Sequence, residues 1–165
     1  RPGPRKERWI YGATFPTYGL LVTKAEVAGV PDELSLYVQD GGGWSQRGKA
    51  DRFRRYTMRI DGFVSVQAPL RGGEILTKPI VFRGSKLVMN YATSAAGSGR
   101  VEIQDRDGKP ARGFALDDCP EIYGDHIERV VSWKQGSDVR RLAGRPIRLR
   151  FVLKDADLFS IRFRD

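Results

Sequence analysis

The sequence predicts an all-β protein: an antiparallel, jelly-roll-like β-sandwich from about residue 53 onward, preceded by a short β segment. Three observations carry this expectation. Nearly every apolar run alternates with polar residues at period two, which puts the apolar side chains on one face of a strand. Clusters of Gly, Pro and Asp separate those runs with turn chemistry. Helical periodicity is almost absent, and many short strands divided by turns favour a sandwich or barrel.

Taken in order, "ELSLYV" (33–38) sets Leu34, Leu36 and Val38 on one side. The stretch "QDGGGWSQRGKADRF" that follows is polar, and three successive glycines disfavour any regular element. It marks a soft boundary near residues 40–53, giving a short β segment at 1–52 and a sandwich domain at 53–165. The first segment holds about three short strands, too few for a core of its own. "RYTMRI" (55–60) then alternates Tyr56, Met58 and Ile60 against Arg55, Thr57 and Arg59. "KLVMNYA", "RVEIQD", "IERVVSW", "PIRLRFVL" and "DLFSIRF" add clear strands, and "FVSVQA" and "PIVF" weaker ones. In "SDVRRLAGRP" (137–146) Ser137 or Asp138 can cap one helical turn. Gly144 can end that turn in a left-handed conformation, and Pro146 opens the next strand.

Composition narrows the chemistry. The chain has 165 residues, with 40% hydrophobic and 30% charged side chains, which is globular. No apolar run reaches the roughly 18 residues of a membrane-spanning helix, and "RPGPRKERW" is not a signal peptide. Cys119 is the sole cysteine, so an internal disulfide and a cysteine zinc cage are both excluded; a buried inert thiol is its expected role. His126 is the sole histidine, and no Ser or Cys stands in a nucleophile motif beside it.

Three stretches resemble a known family: "RRYTMRIDGFVSVQA", "GGEILTKPIVFRGSKLVMNYATSAAGSGRVEIQDRDGKPARGFALDDC" and "YGDHIERVVSWKQGSDVRRLAGRPIRLRFVLKDADLFSIRF". In this order, over residues 53–164, they look like the C-terminal β-sandwich of bacterial secreted proteins similar to glycoside hydrolase family 32. In those proteins a five-bladed propeller precedes the sandwich. The resemblance implies that residues 9–52 correspond to the end of a propeller, with "RWIYG", "YGLLVT" and "ELSLYV" as strands of a last blade. It also implies a secreted or extracellular location. The family's "WMNDPNG"-like, "RDP" and "EC" carboxylate motifs are absent, and "CPE" (119–121) has its order reversed inside the sandwich. Glycoside hydrolysis of this class needs two positioned carboxylates, so the chain is expected to be non-catalytic.

Three candidate sites follow. An aromatic platform for sugar stacking would use Trp44 in its glycine loop with Gln46 and Arg47, together with Tyr123 and Trp133. The alternative for Trp133 and Tyr123 is closure of the core ends, as large aromatics commonly do. No cofactor is expected apart from a structural calcium on Asp117, Asp118 and Asp125. "DRDG" (105–108) starts like a calcium loop, but loop position 12 falls at Leu116 rather than a bidentate Glu, so a hairpin turn explains it better.

The net charge of +9 suits an anionic partner. Strand parity sets Arg148 and Arg150 opposite Ile147, Leu149, Phe151 and Leu153, and Arg162 and Arg164 opposite Phe159, Ile161 and Phe163. Joined by "DAD", the two strands are expected to pair as a hairpin with one apolar and one basic face. That face is either an anionic contact or a solvated surface with Glu102 or Glu128 as ion-pair partners. Nucleic-acid binding is disfavoured, because no helix-turn-helix, zinc module or RNP-like motif occurs and the phenylalanines lie on the inward parity. The expected function is an accessory domain that binds polysaccharide weakly or buttresses a catalytic neighbour. Self-association through edge strands is the alternative.

Overall fold

A computed structural model of the chain describes residues 14–40 and 52–165. The protein is all-β and sandwich-like, with antiparallel sheets and no α-helix among the described residues. Its contacts divide it into two units, Arg1–Ile60 and Asp61–Asp165.

The N-terminal unit is a four-stranded sheet of β1 (Thr14–Pro16), β2 (Leu21–Thr23), β3 (Glu33–Asp40) and β4 (Arg52–Arg59). β3 is central: β1 and β2 pair with successive parts of one edge, and β4 runs along the other. The boundary expected at residue 53 therefore moves to 60/61, because "RYTMRI" pairs with β3 from Arg52↔Asp40 to Arg59↔Glu33.

Period-two alternation sorts the side chains of this sheet onto two faces. Val22, Leu34 and Met58 stand in register on one face, with Leu36 opposite Tyr56 beside them. On the other face Arg55 organises a polar cluster. Its guanidinium donates to Ser35 Oγ at 2.8 Å, to Thr23 Oγ1 at 2.8 Å and to the carbonyl of Lys24 at 3.2 Å, and it pairs with Glu33 and Glu26. A planar five-donor fork is suited to joining so many acceptors on three chain segments.

The C-terminal unit is built on two long strands, β7 (Lys86–Asp105) and β9 (Ile147–Arg164). They pair antiparallel along their length. β8 (Asp125–Val130) lies on the other edge of β7, while β5 (Val66–Ala68) and β6 (Gly73–Leu76) share the other edge of β9. "KLVMNYA" and "RVEIQD" are thus parts of one strand. The two C-terminal segments do not form the expected hairpin either; both pair with β7.

The physical reason lies at "DAD". Asp155 adopts φ 43 and forms an irregularity opposite residues 94–97, so the chain continues instead of reversing. The irregularity also advances the parity. Ile147, Leu149, Phe151 and Leu153 are buried, then Ala156 and Leu158. A second shift at Phe159 returns inward packing to Ile161 and Phe163.

The core gathers Leu87, Met89, Tyr91, Val101 and Ile103 from β7 against the inward residues of β9. Loop residues Phe82, Phe114, Cys119, Ile122, Trp133 and Val139 complete it. "DRDG" is a turn, as expected. Asp105 Oδ1 accepts the N–H groups of Asp107 and Lys109, each at 2.9 Å, and Gly108 sits at φ 87. "SDVRRLAG" gives a short 3-10 turn at Arg140–Leu142, with Gly144 at φ 75.

Candidate functional site

Of the aromatic-platform candidates, the described residues are Tyr123 and Trp133. Trp133 is 3% exposed, its indole N–H donates to the carbonyl of Val101 at 2.9 Å, and its ring meets Phe114 edge-on with centroids 5.0 Å apart. It is a core residue and offers no ring face to a sugar, a correction of its candidacy. Tyr123 is 72% exposed, and its carbonyl accepts the hydroxyl of the buried Tyr91 at 2.8 Å. Trp44, Gln46 and Arg47 lie outside the described residues.

The calcium candidate is not supported by position. Among the described residues no group of three His, Cys, Asp or Glu side chains could hold a metal ion, so Asp117, Asp118 and Asp125 do not form a ligand set. Asp118 faces Lys134 at 3.7 Å, while Asp125 belongs to β8. Cys119 is buried and accepts the N–H of Val101 at 3.3 Å. Burial pushes its thiol pKa up, which disfavours the thiolate form.

The basic face is an ion-paired surface. Arg150 stands directly opposite Glu102 on β7, with Nη1 3.5 Å from Oε1, and its Nη2 meets Glu74 on β6 at 2.7 Å. Glu102 is only 4% exposed, yet its carboxylate is well served. Oε1 accepts from the Gln104 amide at 2.7 Å, and Oε2 accepts the N–H of Leu116 at 2.9 Å. Glu128 on β8 pairs with both Arg162 and Arg164. The arginines hold the carboxyls of Glu74 and Glu128 below the usual range, chiefly through side-chain hydrogen bonds from Arg150 and Arg162. Arg148 differs: its Nε is buried with no hydrogen-bond partner. Stacked arginines would repel across a sheet; the interleaved carboxylates relieve that repulsion for Arg150, Arg162 and Arg164.

A cleft of about 390 Å³, lined by Phe114, Gln135, Asp138, Arg140 and Arg141, lies on the same unit. Sequence reasoning treated "SDVRR" as a helical turn alone and missed it. Arg141 lies over the Phe114 ring at 4.6 Å and donates to the carbonyl of Arg112. The Gln135 amide is directed at the same carbonyl at 3.5 Å. Asp138 accepts the backbone N–H of Arg140 at 2.8 Å and pairs with its guanidinium at 3.3 Å. The available signal was the recurrence of polar side chains in two successive turns, at 133–136 and 138–142, the second of which contains the buried Val139.

No family model, curated protein or solved structure matches the chain.

Proposed function

We propose that the chain is a non-catalytic accessory β-sandwich of an exported carbohydrate-active protein, and that it buttresses a catalytic neighbour. The observation that carries this reading is the apolar face of the N-terminal sheet. Among the described residues of that unit, Val38 is the only buried apolar side chain, whereas Val22 is 61% exposed and Tyr56 41%. A β-sheet with one apolar face reaches a stable state by packing that face against a second layer. The other face is held by Arg55 and its acceptors, with Leu21, Tyr37 and Phe53 exposed on the same side.

Two further points support the reading. The resemblance over residues 53–164 joins a sandwich to a preceding β domain, and the carboxylate motifs of the resembled hydrolases are absent from the sequence. Buttressing is preferred to sugar stacking because Trp133 is committed to the core. It is preferred to nucleic-acid binding because Arg150, Arg162 and Arg164 share their charge with Glu74, Glu102 and Glu128.

The test is titration with a purified five-bladed propeller of the family 32 type, alongside light scattering of the chain alone over a wide concentration range. The expected result is a one-to-one complex with wild type, lost in Val22→Lys and Tyr56→Lys variants that keep the native circular dichroism. A chain that oligomerises with concentration and ignores the propeller would establish the self-assembly alternative instead. A strict monomer that binds no propeller overturns the buttress.

A further inference from the structure

The cleft over Phe114 is held from beneath by a rigid base. The 111–115 segment is tied to β7 by the N–H of Ile103 donating to the Phe114 carbonyl at 3.0 Å and that of Ala111 to the Ile103 carbonyl at 2.8 Å. The Trp133–Gly136 turn closes on itself with two backbone hydrogen bonds, of 2.9 and 2.8 Å. Val139 is anchored to the Ser85 carbonyl at 2.9 Å. The polar side chains therefore project from three fixed segments, and fixing donors before binding lowers the cost of binding.

Gly113 shows how closely these segments are fitted. It adopts φ +78, and a Cβ there would lie 1.4 Å from Gln135 Nε2. Only glycine leaves room for the Gln135 amide to lie across the backbone toward the Arg112 carbonyl. The same carbonyl anchors Arg141, so two donor-bearing side chains are registered on one acceptor.

The charge of the cleft is less compensated than that of the sheet face. Arg141 bonds to a carbonyl and stacks on a ring, neither of which neutralises a guanidinium, and Arg140 shares the one carboxylate of Asp138. A guanidinium has five N–H donors in a flat fork that fits a carboxylate in a bidentate manner. Asp138 would repel a bare polyanion but accepts hydroxyl hydrogens, and the Gln135 amide both donates and accepts. The volume lies at the small end of the range for ligand pockets, roughly 300–1,000 Å³.

We propose that this cleft binds a carboxylate-bearing sugar unit of an acidic polysaccharide, with Arg140 and Arg141 on the carboxylate and Gln135 and Asp138 on the hydroxyls. The choice of a sugar rests on the carbohydrate context proposed above. The two readings fail separately, because docking is read at Val22 and Tyr56 and sugar binding at Arg140.

The experiment titrates the full chain with an oligogalacturonate, a neutral oligosaccharide of equal length and a sulfated one, followed by calorimetry and by amide NMR shifts. The uronate is expected to bind, weakening with salt, with shifts at residues 112–114 and 134–141. Arg140→Gln, exposed and away from the core, is expected to weaken it about 10-fold or more, as loss of a charge-assisted hydrogen bond predicts. Gln135→Ala weakens it less, and Arg162→Gln leaves it unchanged. Absence of uronate binding overturns the proposal, as does equal binding of the neutral or sulfated oligosaccharide. Equal weakening by Arg162→Gln and Arg140→Gln also overturns it, since only diffuse charge would then be at work.

Discussion

The indole N–H of Trp133 reaches 2.9 Å to the carbonyl of Val101, tying the loop after β8 to the C-terminal part of β7. Both residues are buried, so the carbonyl has no water to fall back on. Trp133→Phe keeps an aromatic against Phe114 but leaves that acceptor without the indole donor. The expected cost is about 1–3 kcal/mol, read as a lower urea midpoint with an unchanged slope. Sugar affinity should not respond beyond that loss of stability.

Glu102 is the hub of the outward face of β7, serving Gln104, Leu116 and Arg150. Glu102→Ala would orphan two donors on its own strand and the following loop as well as the guanidinium. Loss of hydrogen bonds to a buried charged group predicts about 1.5–3 kcal/mol of destabilisation. Arg150→Ala should cost less, because Glu102 keeps its two other donors and Arg150 itself is about one-third exposed. Equal costs for the two variants in denaturant melts would contradict this account.

Much of the architecture was legible because period-two alternation reports strand faces directly. Val101 and Ile103, or Leu149 and Phe151, are buried as their parity requires. What parity could not show is continuity. Residues 94–97 and Asp155 look like breaks, but they are an irregularity inside two strands that keep pairing on either side. An irregularity of this kind leaves local composition almost unchanged from that of a turn, so the decisive information is tertiary. Side chains divided the same way. Trp133 at a strand end has the same local sequence signature whether it faces solvent or the core. The Arg140–Arg141 cleft depends on the approach of residues 111–114, which no local pattern reveals.

That irregularity is itself testable at Gly97. A Cβ there would sit 2.3 Å from the Asp155 carbonyl oxygen and 2.8 Å from that of Lys154, both backbone atoms that cannot rotate away. Gly97→Ala must therefore push β7 and β9 apart, at a cost of about 1–3 kcal/mol for overpacking. Gly136→Ala is the informative comparison. Nothing lies within 4 Å of its Cβ, so its penalty arises from φ +112 alone. Amide exchange should speed up on both sides of Gly97, through residues 93–99 and 153–156, and stay local to the 133–136 turn for Gly136→Ala.

Glu128 gives the protein a defined acid response. Arg162 and Arg164 lower its carboxyl pKa, so the folded state holds the ionised form more strongly than the unfolded chain does. A depressed carboxylate contributes stability that is fully present above the unfolded value, about 4.3 for glutamate. It is lost as pH falls through the lowered folded value. Glu74 follows the same direction through Arg150. Glu128→Gln should consequently melt at a lower temperature than wild type at neutral pH, by a small margin because the pair is solvent-exposed. The two melting curves should converge as the pH drops below the glutamate range, and high salt should shrink the gap at neutral pH. A gap that persists unchanged in acid would mean that the Glu128 side chain acts through packing and not through its charge.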